Sequence, residues 1–369
     1  MPVPAYQQAG VDYDVLDAAK RRASRAAATT SSLLLRRGAV AVDASRGEPA
    51  FVWRADDRYH ALVIECLGTK SMIAAEYLAQ NGVNRYDAVA YDTVAAAVND
   101  LVCVGALPHV VNAYFAAGSA EWFAGSAAAS IVEGWRRACN DAGAAWGGGE
   151  SPALPGVVAP GAVDLAAAAA GMLPAGQAPL LGDGLAPGDE IVVVASTGMH
   201  ANGATLARRI TRTLPERWAT PLPDGRSLGD AVLTPSAIYA ELVAALFSLG
   251  IPVRYLSNIT GHGVLKVMRA RAELTYVLHG LPPVPTELTM LADLAGLTPR
   301  EAYMVFNMGL GFCVYCAAGA ASSVVGAASE CGFDAWDAGR VVAGPRRVVV
   351  EPLRTEFDSA EIALRASGV

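Results

Sequence analysis

The chain of 369 residues is 53% hydrophobic and 17% charged, with 37 glycines and 21 prolines, a composition that excludes a disordered or collagen-like protein. Its 28 basic and 35 acidic residues give a net charge of -7, so it lacks the basic field needed to neutralise a nucleic-acid backbone. The most apolar stretch, 154–173, is interrupted by Pro155, Pro160 and Asp164, which excludes a membrane span.

A single core rarely grows beyond about 250–300 residues, so the length predicts two α/β domains. A helix is expected over 11–30, with acids early and bases late as the helix dipole favours. Strands follow at 38–42 and 60–65, helices at 71–80 and 88–104, a strand at 108–115 and a helix at 120–142. The Gly- and Pro-punctuated stretch 143–160 reads as loop, and 164–173 as strand or helix. From Pro174 to Pro187 the composition shifts to Gly, Pro and Leu, and a boundary there gives domains 1–173 and 174–369. In the second, strands at 190–195, 253–257, 275–279, 311–317, 340–343 and 347–351 interleave with helices at 202–213, 236–249 and 264–271, the pattern of an α/β domain.

The six cysteines are scattered, which predicts reduced thiols in a cytoplasmic protein, and the N-terminal residues lack the order of a secretory signal. Cys313 and Cys316 form a C-x-x-C inside an expected strand, where positions i and i+3 face opposite sides and do not share a metal.

The P-loop, H-E-x-x-H, G-x-S-x-G and G-x-G-x-x-G signatures are absent. What remains is a series of glycine-rich turns carrying polar groups, where backbone N–H groups and helix starts can approach an anion. They run Glu65-Cys66-Leu67-Gly68-Thr69-Lys70, then Gly147-Gly148-Gly149-Glu150, Thr197-Gly198-Met199-His200-Ala201-Asn202-Gly203, Asn258-Ile259-Thr260-Gly261-His262-Gly263 and Phe306-Asn307-Met308-Gly309. Lys70 is one of only three lysines. It reads as a point charge for phosphate or as a solvated residue at a helix start. Asp92 and Asn99, seven apart, share a helix face lined by small apolar residues, with Asp100 adjoining. Polar groups in such surroundings must be paired or bind a cation, although a helix cap would also account for Asp92.

Taken in order, these turns resemble the aminoimidazole ribonucleotide synthetase family, the phosphoribosylformylglycinamidine cyclo-ligases. Tyr6 to Asp12, Leu233-Thr234-Pro235 and Tyr239 also match, so the resemblance spans about 6–351. It implies an α/β (α+β) fold of two domains, in which an N-terminal mixed sheet dimerises through a shared strand barrel and a C-terminal α/β domain completes the site. It also implies ATP and Mg2+ as cofactors and a small-molecule substrate whose amide oxygen is phosphorylated and displaced by an internal amine.

Carried onto this chain, Gly68, Thr69, Lys70, Asn99, Gly148 and Gly149 would bind ATP and its phosphates. Glu65, Asp92, Asp100 and Glu150 would hold magnesium. Lys70, His200 and Asn202 would be catalytic, with His200, Asn202, Thr260, Gly261 and His262 meeting the substrate. The chain departs from the family pattern at Glu65-Cys66, where the family has Asp-Gly, and at His262, where it has Gly. Three readings stay open: the purine-pathway cyclo-ligase, an enzyme using the same ATP-driven activation on another substrate, and a non-catalytic nucleotide-binding homologue.

Overall fold

The computed structural model describes residues 13–361. The Tyr6–Asp12 motif therefore lies outside the described residues. Two mixed sheets organise the chain. The first contains β1 (Val40–Ala41), β2 (Phe51–Ala55), β3 (Arg58–Cys66), β4 (Leu107–Ala117), β5 (Ala145–Glu150) and β6 (Val163–Met172), in the order β1-β2-β3-β6-β4-β5. Only β4 and β5 run parallel. The second contains β7 (Glu190–Ala195), β8 (Val253–Asn258), β9 (Leu274–Leu278), β10 (Leu310–Cys316), β11 (Ala335–Ala343), β12 (Arg347–Val350) and β13 (Thr355–Asp358), in the order β13-β12-β9-β11-β7-β10-β8. Here only β9 and β12 are parallel.

The helix Tyr86–Cys103 joins the two halves. Val89, Ala90, Val94, Ala95, Ala97, Val98 and Leu101 leave it no solvent face, and a helix apolar all round belongs in an interior. It packs on β3 and β6 of the first sheet and on β8 of the second. Polar side chains on this helix therefore meet groups from both halves.

Where the fold departs from the expected elements, a tertiary contact or a glycine decides. The stretch 143–160, expected to be loop, contains strand β5. Gly149 lies against the Ala113 carbonyl, which any Cβ would strike, so the glycines that look like loop allow close parallel pairing with β4. Residues 164–173, open to either reading, form β6, with burial alternating residue by residue. The helix expected over 120–142 splits at Gly125 into a 3-10 turn, Ala120–Ala124, and the helix Ser126–Asp141. Only Ala240–Ser248 of 236–249 is helical, because the backbone N–H groups of Ser236 and Tyr239 donate to Asp92 and Asn99. Residues 264–271 tighten into the 3-10 turn Gly263–Met268. Cys313 and Cys316 are free and buried in β10. No helix among the described residues is long and apolar enough to cross a membrane.

Candidate active site

A cavity of about 540 Å³ lies where the two halves meet. Two helix starts open onto it. β3 runs directly into the helix Gly68–Asn81, and the turn at Gly203 leads into the helix Ala204–Thr211. Neither start has a side-chain cap; the Lys70 N–H donates to the Leu67 carbonyl at 3.2 Å, and the N–H groups at Gly68, Thr69, Ala204 and Thr205 are placed to meet an anion. Gly203 holds φ at 88° with its Cα against the Phe306 ring, leaving no space for a Cβ. Thr205 Oγ1 donates to Thr69 Oγ1 at 3.3 Å, tying the two starts together.

Glu65 and Asp100 form the acidic part of the cavity. Asp100 accepts a hydrogen bond from Asn258 Nδ2 at 2.8 Å, and the Glu65 carboxyl adjoins Asp100 in the same cavity. Burial, reinforced by the Asp100 charge, pushes Glu65 up to about 7. Arg269 faces Glu48 at 3.6 Å, and the Tyr255 hydroxyl donates to Glu48 at 2.8 Å. Lys266 completes this wall, its ammonium pushed down to about 8 chiefly by burial.

The residues singled out from sequence separate into three groups. Glu65, Gly68, Thr69, Asp100, Asn202, Thr260, Gly261 and His262 line the cavity. Lys70 also borders it, but its ammonium is held in a fully buried ion pair with Asp92 and donates to the His200 carbonyl at 2.8 Å. Asp92 also accepts the Ser236 N–H at 2.6 Å. Asp92 is therefore engaged as the counter-ion of Lys70 and does not line the cavity where a magnesium ion is expected, and the expectation of an open Lys70 ammonium gives way to an internal pair.

Asn99, expected at ATP, donates to the Ala237 carbonyl at 2.8 Å and accepts the Tyr239 N–H at 2.9 Å. Its amide is taken up in bolting the helix to the second half. His200, expected to transfer protons, is buried with φ at 56°, and its Nε2 accepts the Thr197 N–H at 3.0 Å. Burial, and then the Lys70 charge, pushes its imidazole down to about 3, so near neutral pH it is uncharged and fixes the turn. Gly148, Gly149 and Glu150 are exposed on the outer strand β5, away from the cavity. No three His, Cys, Asp or Glu side chains among the described residues converge as a metal cage. The four expected carboxylates are thus divided among a cavity pair, an internal ion pair and an outer strand.

Sequence reasoning passed over Glu48, Lys266 and Arg269. Lys266 carried a signal, a lysine inside the apolar run Val264–Met268. Glu48 carried none, since only folding brings its loop to Arg269.

Two mixed α/β halves meeting at a polar cavity with uncapped helix starts and a carboxyl pair define a two-domain α/β enzyme of the kind suited to phosphorylated ligands. Residues 47–173 match the model of the AIR synthase related protein, N-terminal domain, and residues 186–351 that of the C-terminal domain. The chain is 36% identical over 293 residues to a phosphoribosylformylglycinamidine cyclo-ligase of Anaeromyxobacter sp. (strain Fw109-5), covering 78% of this chain and 82% of the relative. It is 34% identical over 357 residues to the protein of the same name from Sorangium cellulosum (strain So ce56), covering 91% and 95%. The fold recurs in the hydrogenase maturation protein HypE, with a TM-score of 0.61 at 17% identity over 81% of this chain and 87% of that one. It recurs again in T. maritima PurL complexed with FGAR, with a TM-score of 0.58 at 18% identity over 85% and 47%. The chain belongs to the AIR synthase related family.

Proposed function

We propose that this chain is an ATP-dependent cyclo-ligase that converts formylglycinamidine ribonucleotide into aminoimidazole ribonucleotide. The observation that carries the reading is the cavity itself: two uncapped helix starts and a carboxyl pair, in a chain 36% identical to a curated cyclo-ligase. In the reaction the terminal phosphoryl group of ATP passes to the substrate's amide oxygen. That oxygen then departs as phosphate when the internal amine closes the ring, leaving ADP. The protein's work is positioning and charge neutralisation.

In this reading the N–H groups at Gly68 and Thr69 receive phosphate oxygens, with Lys70 behind them fixing the turn that carries Asn202. Asn202, Thr260, Gly261 and His262 bound the substrate. Mg2+ takes one or two carboxylates and completes its shell with phosphate oxygens and water. Glu65 and Asp100 fit that requirement, two adjoining carboxyl groups facing open space, and we assign them to the ion. When bound, magnesium would neutralise phosphate charge.

We also assign a homodimer, built as a shared barrel on the outward face of the first sheet. Leu62 and Ile64 are exposed there and pair in register with Ala170 and Ala168 of β6, with Phe51 of β2 opposite Leu62 on the same face. A contiguous apolar face of this kind marks a protein interface, and Ile64→Glu is expected to yield monomers by light scattering. Six free cysteines suit a reducing cytoplasm.

The test is release of ADP by the purified protein with Mg-ATP, with and without formylglycinamidine ribonucleotide, alongside detection of the aminoimidazole product. Substrate-dependent ADP release with that product supports the reading. ATP binding with an inert substrate would favour the second reading, another amide-bearing substrate, for which Cys66 and His262 at the cavity wall speak. A protein that binds no ATP would refute both.

A further inference from the structure

Lys266 is out of keeping with its surroundings. It is 6% exposed, it lines the cavity, and its ammonium makes no hydrogen bond and no ion pair with any described residue. Burying an unpaired ammonium is costly, so a lysine serving only the fold would be expected to sit against a carboxylate, as Lys70 does. The nearby charges on Lys266 act from beyond ion-pair reach, with Arg269 opposing its charge and Asp100 and Glu65 favouring it.

Its backbone, in contrast, is firmly held. Ser257 Oγ donates to the Lys266 carbonyl at 2.8 Å, and Val264, Leu265, Val267 and Met268 are buried around it. A fixed stem with a cationic head turned to the same cavity as the helix starts at Gly68 and Ala204 is an arrangement suited to an anion.

Resting on the cyclo-ligase reading, we propose that Lys266 binds a phosphate oxyanion of a ligand in this cavity, either the terminal phosphate of the nucleotide or the phosphomonoester of the substrate. The competing account makes Lys266 a distant counter-ion for Glu65 and Asp100, with no part in binding.

The test compares Lys266→Met and Lys266→Arg with the wild-type protein by calorimetric titration in the presence of Mg2+. The probes are AMP-PNP, ADP, formylglycinamidine ribonucleotide and its dephosphorylated ribonucleoside. Loss of a charge-assisted hydrogen bond predicts binding about 10- to 100-fold weaker in Lys266→Met, with most of it restored in Lys266→Arg. If the terminal phosphate is the ligand, AMP-PNP weakens and ADP does not. If the phosphomonoester is the ligand, the ribonucleotide weakens and the ribonucleoside does not. Unchanged affinity for all four probes would overturn the proposal.

Removing an unpaired buried charge is also expected to leave the urea midpoint of Lys266→Met unchanged or raised, and a lowered midpoint would overturn the proposal by revealing an ammonium paired in the fold. Independently of any variant, reductive dimethylation of the wild-type chain with peptide mapping reads Lys266 directly. Protection by pyrophosphate supports the assignment, and modification unaffected by pyrophosphate, or none at all, contradicts it. Wild-type protein that binds neither nucleotide nor ribonucleotide would defeat the cyclo-ligase reading, while the pyrophosphate experiment would still decide the role of Lys266.

Discussion

Asp92 and Asp100 stand about two turns apart on the same helix, and both are at least nine-tenths buried. Asp92 is closed in by the Lys70 ammonium and the Ser236 N–H. Asp100 has Asn258 on one side, the Glu65 carboxyl on another, and open cavity beyond. The two lysines repeat the contrast, the Lys70 ammonium held twice by protein groups and the Lys266 ammonium by none among the described residues. A polar group whose partners are complete holds the fold, and one left incomplete next to open volume is placed for a ligand. Burial alone does not separate the two cases.

The largest expected effect breaks the closed pair. Asp92→Ala strands the Lys70 ammonium in the interior and should cost about 3–5 kcal/mol, measured as a fall in unfolding free energy in urea. Asp100→Asn should cost at most about 1 kcal/mol, yet reduce ATP turnover on the order of 100-fold, since even residues one step removed from a metal are worth roughly 10- to 100-fold. Equal stability losses in the two variants would erase the distinction. Asn99→Ala belongs with Asp92. Orphaning the Ala237 carbonyl and the Tyr239 N–H should cost about 2–3 kcal/mol without a separate effect on nucleotide affinity, checked by urea unfolding and nucleotide titration.

The sequence made part of this contrast visible. Asp92, Asn99 and Asp100 are conspicuous as polar residues in an apolar helix, and the glycine-rich turns marked the helix starts at Gly68 and Ala204. It did not reveal which polar residue would be closed in, because the partners arrive from far along the chain: Ser236 for Asp92, Tyr239 for Asn99 and Asn258 for Asp100. The same long-range bonds stopped the helix expected over 236–249 from forming in its first four residues. β5 was hidden for the opposite reason, since glycines that permit close strand pairing carry no strand signal of their own. His200 drew attention as a titratable residue in a glycine-rich turn, but its burial is a property of the assembled junction.

That burial gives His200 a pH signature. Its folded pKa of about 3 lies below the ordinary 6.5, so the unfolded chain takes up the proton first as pH falls. The stabilising contribution is complete above about pH 6.5 and is lost on acidification toward pH 3. Between pH 7 and pH 5 the loss from this one group is about 2 kcal/mol, seen as a lower urea midpoint at pH 5. His200→Gln should remove most of that slope, whereas an unaltered slope would mean the imidazole is not held neutral in the fold. Catalysis near pH 7 should show no inflection attributable to His200.

The smallest effect concerns the cavity wall. His262 adopts φ 76°, a left-handed conformation that costs a non-glycine residue about 1–2 kcal/mol, against roughly 0.5–1 kcal/mol of extra chain entropy lost when glycine is ordered. His262→Gly should therefore stabilise the fold by up to about 1 kcal/mol, less whatever contacts the imidazole makes. Because His262 lines the cavity beside Thr260 and Gly261, the same change should shift the KM for the amide-bearing substrate more than the KM for ATP. A shift confined to ATP would move His262 to the nucleotide side. No shift in either constant would make it a strained residue without a ligand, and would remove the main argument for a substrate other than formylglycinamidine ribonucleotide.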